Sequence, residues 1–139
     1  MTVSAWLARA DRAPASASLV ADDGDFDRAA NTAYHAMFYG ARAALIHVGQ
    51  PERAMGKTHS GMVAAFNQWL VRPGLLEAGL GKAFAFEQNR RILADYEEGG
   101  VDADGAADAI ASVRPFVDAV KALIEQGDAP SPDSPADPA

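Results

Sequence analysis

The chain has 139 residues, 49% apolar and 22% charged, with no cysteine and a formal net charge of -7. These proportions are ordinary for one globular domain with enough chain to bury a core, and the lack of cysteine excludes disulfides and thiolate metal sites. So acidic a chain gains little from non-specific phosphate neutralisation, so any nucleic-acid contact must come from a local basic cluster or from a partner.

Alanine is abundant and β-branched residues are sparse, a balance that favours helix because alanine loses no side-chain entropy there. No alternating strand pattern is present, and the chain reads as all-α. The N-terminus shows no basic region followed by an apolar run, so no secretory signal is expected. The apolar segments are interrupted well short of the roughly 18 residues that a membrane span requires. The expectation is a cytoplasmic protein without membrane contact.

The first predicted helix covers Thr2 to Ala21, where Trp6, Leu7, Ala10, Ala13, Ala17 and Val20 recur mostly at three- and four-residue steps. Pro14 interrupts this stripe and predicts a break or kink near Ala13. Asp22-Asp23-Gly24-Asp25 is a turn, with Asp25 as the N-cap of a second helix. That helix carries a broad apolar stripe from Phe26 to Val48 and ends at Gly49. Its many alanines predict close neighbours and a central position, and Gly40 marks either a close approach or a tolerated defect. Gln50 to Gly56 reads as a loop. Thr58 or Ser60 caps a third helix bearing Met62, Val63, Phe66, Trp69 and Leu70, which Pro73-Gly74 breaks. A fourth helix spans Leu80 to Glu98, with Phe84, Phe86, Ile92, Leu93 and Tyr96 as apolar or amphipathic positions, and Gly99-Gly100 ends it. A fifth spans Asp104 to Gln126 and should bend at Pro115. The domain is thus 1–127. The remainder, 128–139, holds four prolines among Asp, Ser and Ala and cannot bury enough apolar area to offset its ordering entropy, so it is expected to be a disordered tail.

Arg28 and His35 are seven residues apart on the second helix, and seven steps of about 100° bring both within about 20° of one face. About 10 Å of helix axis separates them. A histidine exchanges a proton near neutral pH and an arginine fork holds phosphate charge. Such a pair could cleave RNA without a metal by activating the ribose 2′-hydroxyl. The plainer reading is a half-buried core histidine and a solvated first-turn arginine. Arg42 with His47, and Arg53 with His59, repeat the pattern, so every histidine has an upstream arginine. Lys57-Thr58-His59-Ser60-Gly61 offers a helix start where backbone amides could hold a phosphate, or simply an N-cap beside a lysine. Arg91 and Asp95 fit a surface ion pair, although a phosphate-facing Arg91 is also consistent. No zinc-ligand spacing, glycine-rich nucleotide loop or nucleophile elbow is present, so neither metal nor cofactor is expected.

Three ordered blocks carry a resemblance. The segment Asp25-Phe26-Asp27-Arg28-Ala29-Ala30-Asn31-Thr32-Ala33-Tyr34-His35-Ala36-Met37-Phe38 is similar to the signature region of small prokaryotic HEPN proteins. Lys57-Thr58-His59-Ser60-Gly61 resembles their following loop and helix start. Arg91-Ile92-Leu93-Ala94-Asp95-Tyr96-Glu97 resembles their later Arg-x-x-Ala-Asp-Tyr-Glu stretch. The likeness covers nearly all of the chain except the tail.

The resemblance implies an antiparallel bundle of about five helices that pairs into a homodimer. It further implies a toxin-antitoxin setting, with a nucleotidyltransferase-fold antitoxin as partner. Many HEPN proteins are metal-independent ribonucleases with an Arg-x4-6-His motif, which Arg28 and His35 match, although that motif usually lies nearer the C-terminal helix. On this reading the chain is a toxin-like endoribonuclease: Arg28 and His35 are catalytic, and Asn31, Tyr34, Lys57, His59 and Arg91 bind or orient RNA. The alternative is a non-catalytic module that binds a nucleotide or a nucleotidyltransferase partner; a purely structural dimer module is a third reading.

Overall fold

The structure, a computed structural model, describes residues 2–96 and 99–127, the last four of the first stretch in backbone only. The tail expected over 128–139 lies outside the described residues, as do the side chains of Leu93, Asp95 and Tyr96 and with them the expected Arg91–Asp95 ion pair. Six α-helices are described: α1 Val3–Asp22, α2 Phe26–His47, α3 Pro51–Ala54, α4 His59–Phe66, α5 Ala78–Tyr96 and α6 Ala103–Glu125. No strand is formed among the described residues. None of these helices is long and apolar enough to cross a membrane.

The caps are local side-chain chemistry. Thr2, Asp25, Thr58 and Asp102 each accept the N–H of the residue three further on, satisfying an amide that the helix cannot. Gly24, Gly49 and Gly127 follow α1, α2 and α6 with positive φ, the conformation that lets a chain leave a helix sharply.

The break expected near Ala13 does not occur, because α1 runs unbroken through Pro14. Pro14 is buried with Ala10, Ala13 and Ala17 on one face, and the packing of that face offsets the roughly 3 kcal/mol that a proline costs an exposed helix. Pro115 likewise lies inside a continuous α6. The stretch expected as a loop after Gly49 contains the short helix α3, started by Pro51 in the first turn, where its missing N–H costs nothing. The third predicted helix is α4 followed by a π-helical turn, Asn67–Val71, closed by the Arg72 N–H donating to the Asn67 carbonyl at 2.9 Å.

α2 is central and touches every other helix. Trp6 stacks on Tyr39, and Ala10 lies beside Gly40, so α1 and α2 are antiparallel across the turn at 23–25. Asp27 accepts the Val101 N–H at 2.6 Å while Gly40 faces Phe116, so α6 runs in the direction of α2. Phe84 against Phe116 and Glu87 against Ser112 set α5 antiparallel to α6. The long helices thus alternate in direction along the chain, as an antiparallel bundle requires.

The core is aromatic at its centre. Tyr34, Phe66, Phe84 and Phe116, one each from α2, α4, α5 and α6, are fully buried, with neighbouring ring centroids 5.0 to 5.9 Å apart. The stripe expected on α5 is narrower than drawn: Phe84 is buried, but Phe86 is 59% and Ile92 40% exposed. Phe86 is two residues from Phe84 and so about 200° around the helix, and Ile92 is also turned off the covered face. Beside Phe84, Glu87 is buried; Ser112 donates to it at 3.1 Å and Arg90 pairs with it at 3.2 Å, joining α5 to α6. Burial pushes the Glu87 carboxyl up against the opposing pull of Arg90 and Ser112.

A Cβ at Gly40 would lie 3.4 Å from the nearest Phe116 ring atom, at ordinary contact. Gly40→Ala is therefore expected to raise the urea midpoint, by up to about 1 kcal/mol of stability from helix propensity. Gly40→Leu has no such room and is expected to lower it. A loss of stability in Gly40→Ala would mean that α2 and α6 tolerate no added atom at this point.

Candidate functional site

A cleft of about 500 Å³ opens where the N-terminal half of α1 and the α3–α4 connection meet the middle of α2. α2 supplies His35, Phe38, Tyr39 and Arg42, α1 supplies Arg9, the connection supplies Met55, Gly56 and Lys57, and α4 begins with His59. His35 and Arg42 are seven residues apart, so the helix presents both on one side. Phe38 and Tyr39 fall between them at three- and four-residue steps from His35.

Cations line this cleft and, among the described residues, no carboxylate does. Arg42 is held firmly. Its Nε donates to the Ala54 carbonyl at 3.1 Å, and its guanidinium carbon lies 4.7 Å from the Trp6 ring centroid and 4.5 Å from that of Phe38. Contacts of that kind attract a cation to the ring face, and they leave the terminal nitrogens for a ligand. Burial lowers the Arg42 pKa, with Tyr39 opposing and Arg9 adding to the shift, but a guanidinium stays charged. Arg9 lies over Trp6 and Tyr39, which are themselves stacked.

The two histidines are held differently. His35 Nδ1 is 2.8 Å from the Asn31 carbonyl, and since a carbonyl only accepts, Nδ1 carries the proton and Nε2 of the neutral ring keeps its lone pair. His59 Nδ1 is 2.8 Å from the Tyr34 hydroxyl. The ring centroids of His35 and His59 are 6.1 Å apart, and that of Phe38 is 4.9 Å from His59. Burial lowers the His59 pKa, and the nearby Arg91, His35 and Arg42 lower it further. The Tyr34 hydroxyl is pushed up to about 12 by burial, against a smaller opposing effect of Arg91.

The residues expected from the sequence separate accordingly. His35, His59 and Lys57 line the cleft. Asn31 contributes through its carbonyl. Tyr34 is 1% exposed and so reaches the cleft through His59 instead of touching a ligand itself. Arg91 stands over the Tyr34 ring, 5.1 Å from its centroid. Arg28 is not brought to His35: it pairs with Asp25 at 3.6 Å, is 73% exposed, and borders a separate groove with Leu19, Val20 and Asp23. Its place in the first turn, beside its own cap, holds it there. Nor do the other upstream pairings form a site, since Arg53 lies over Trp69 and His47 Nε2 is buried. Thr58 spends its hydroxyl on the Gly61 N–H, an ordinary N-cap. Arg9, Tyr39 and Arg42 were not singled out by the sequence as cleft residues, although the His35, Tyr39, Arg42 spacing on one helix could have found two of them. Among the described residues, no three His, Asp or Glu side chains are grouped to hold a metal ion.

This bundle agrees with the comparisons. The HEPN domain model matches residues 3–123, and the chain belongs to the HEPN domain family. A UPF0332 protein of Thermotoga maritima is 31% identical over 121 residues, 86% of this chain and 89% of the relative. A UPF0332 protein of Gloeobacter violaceus is 34% identical over 88 residues, 63% of this chain and 67% of the relative. A protein of Methanocaldococcus jannaschii named "putative toxin" is 28% identical over 94 residues, 68% of this chain and 67% of the relative.

Because the fold favours neutral His59, the stability it contributes is present above the unfolded histidine value of about 6.5 and is lost as pH falls below it. Acidification from about pH 7.5 to about pH 5 should lower the Tm of the native chain more than that of His59→Gln. Equal losses in the two proteins would show that His59 is not the group being forced to charge.

Proposed function

We propose that this chain is a toxin-like HEPN protein that cleaves RNA in the basic cleft without a metal ion. The observation that carries the reading is the joint presence, on one wall, of His35, whose Nδ1 is turned to the Asn31 carbonyl, and of Arg42, anchored through its Nε. His35 Nε2 takes the proton of a ribose 2′-hydroxyl as that oxygen bonds to phosphorus. The bond from phosphorus to the 5′-oxygen breaks, leaving a 2′,3′-cyclic phosphate, and the 5′-oxygen takes a proton from water in the open cleft. Arg42 holds the charged phosphoryl oxygens, with Lys57 and Arg9 as further cations at the cleft. The phosphate-holding role expected of Arg28 thus passes to Arg42. Tyr39 and Phe38 offer ring faces on which an unpaired base can stack.

The relative named "putative toxin" supports a toxin role and with it an antitoxin partner, for which we propose a nucleotidyltransferase-fold protein. Pairing into a homodimer belongs to the same proposal, on the resemblance alone. A second reading keeps the same cleft as a nucleotide- or partner-binding surface without cleavage. It is favoured by Arg42, whose anchoring by Ala54, Trp6 and Phe38 builds a fixed anion clamp whether or not a bond is broken.

RNA digestion in excess chelator, at controlled protein concentration, tests this. The native chain should release 2′,3′-cyclic phosphate ends. His35→Ala should lose about 10²- to 10⁴-fold in rate and Arg42→Ala about 10²-fold or more, while Arg28→Ala keeps its rate. Unchanged cleavage by pure His35→Ala sinks the nuclease assignment. Co-purification with a nucleotidyltransferase, with no cleavage by the isolated chain, selects the second reading.

A further inference from the structure

We infer that Tyr34 fixes His59 in the Nε2–H tautomer, so that His59 offers the cleft a neutral hydrogen-bond donor for a phosphoryl oxygen. The inference rests on the reading of the cleft as a phosphodiester site, but its own evidence is local.

The Tyr34 hydroxyl and His59 Nδ1 are 2.8 Å apart, and either atom could in principle bring the proton. The surroundings decide. Tyr34 is 1% exposed, with its ring packed between Phe38 and Phe84 and the Arg91 guanidinium over its face. Among the described residues, His59 Nδ1 is the hydroxyl's hydrogen-bond partner and no other is made. If the hydroxyl accepted from Nδ1, its own proton would be left buried without an acceptor, at a cost of about 1–3 kcal/mol. If it donates, only an oxygen lone pair goes unused. The second proton of the pair then sits on Nε2, the remaining ring nitrogen of a residue that lines the cleft. Burial also holds the phenol in its protonated form, and burial with Arg91, His35 and Arg42 nearby keeps the imidazole neutral.

His35 receives the opposite instruction, because a carbonyl faces its Nδ1. Two histidines about one ring-width apart thus present unlike atoms: a lone pair on His35 and an N–H on His59. A base needs the first. A phosphoryl oxygen that gains negative charge during the reaction needs the second, and a neutral imidazole gives it a hydrogen bond without becoming a competing base. Tyr34 is a positioning residue in this scheme, and His59 the group that meets the ligand.

The test uses the full chain labelled with ¹⁵N and reads the ring nitrogens of His59 by NMR, at neutral pH, with inorganic phosphate as the probe. The native protein should show Nε2 protonated and Nδ1 unprotonated, and Tyr34→Phe should convert this to a mixture of tautomers. Phosphate should shift the His59 Nε2–H proton. In RNA cleavage, His59→Ala should lose about 10²-fold in kcat/KM, and His59→Gln, which keeps a side-chain N–H, should recover most of it. Finding Nδ1 protonated in the native chain overturns the inference without need of any variant. So does a phosphate titration that moves the Arg42 side-chain signals and leaves those of His59 in place. Absence of RNA cleavage by the native chain, with the NMR results as expected, would instead remove the nuclease reading and leave the tautomer assignment standing.

Discussion

The phenol of Tyr34 belongs to two parts of the molecule at once. Its ring is one of four aromatics that fill the centre of the bundle, and its hydroxyl reaches the first residue of α4. Ring packing of this density leaves little rotational freedom. The hydroxyl is therefore placed by the core, and His59 is placed by the hydroxyl. α4 is short, and one end of it depends on a four-residue helix and a loop; the Tyr34 contact, with Phe38 and His35 beside it, holds its first side chain. The bundle and the cleft are thus not separable: what orders the interior also sets the geometry of the cleft.

The cleft gathers positive charge on an acidic chain by giving its arginines structural tasks. Arg42 satisfies the carbonyl of Ala54 at the end of α3, one of the acceptors that every helix leaves unfilled at its C-terminus. Its flat faces meet Trp6 and Phe38. Mutual repulsion among Arg9, Arg42 and Arg91 would drive long side chains apart in water, but each is drawn to an aromatic face instead. The acidic residues serve elsewhere, as caps at Asp25 and Asp102, as a tie at Asp27 and as pairs at Asp11 and Asp118. Net charge is a poor guide to such a surface, because it sums the whole chain and not the cleft.

The helices were legible because their signals are local. Alanine content, the apolar stripe of α2, Asp25 as its cap and Gly49 as its end are written within a few residues of where they act. Pro14 misled as a break because proline's penalty is also local, whereas the burial that offsets it comes from helices distant in sequence. Phe86 misled because an aromatic residue was assigned to a stripe whose width only the packing defines. Of the residues singled out in the sequence, His35, His59 and Lys57 are found together at the cleft, while Arg42 beside them had not been paired with His35. Arg28 and Arg42 lie at equal distances before and after His35 along α2, so helical spacing treats them alike. What distinguishes them is enclosure: Trp6 and the α3–α4 connection cover the neighbourhood of Arg42, while Arg28 faces solvent beside its own cap. No periodicity within α2 contains that information.

The two histidines carry the same argument one level lower, to single protons. His35 is oriented by a backbone carbonyl four residues earlier, which any residue at position 31 would supply as long as α2 stays helical. His59 is oriented by a side-chain hydroxyl twenty-five residues earlier in sequence, which a single substitution removes. The lone pair on His35 is consequently a property of the helix, robust to surface change, and the N–H on His59 is a property of one buried phenol. A family built on this bundle could lose or alter the His59 hydrogen bond without disturbing that of His35, simply by replacing Tyr34 with another ring of similar volume. The fold would survive such a change, since the aromatic core fills the same space, and only the chemistry presented to the cleft would differ.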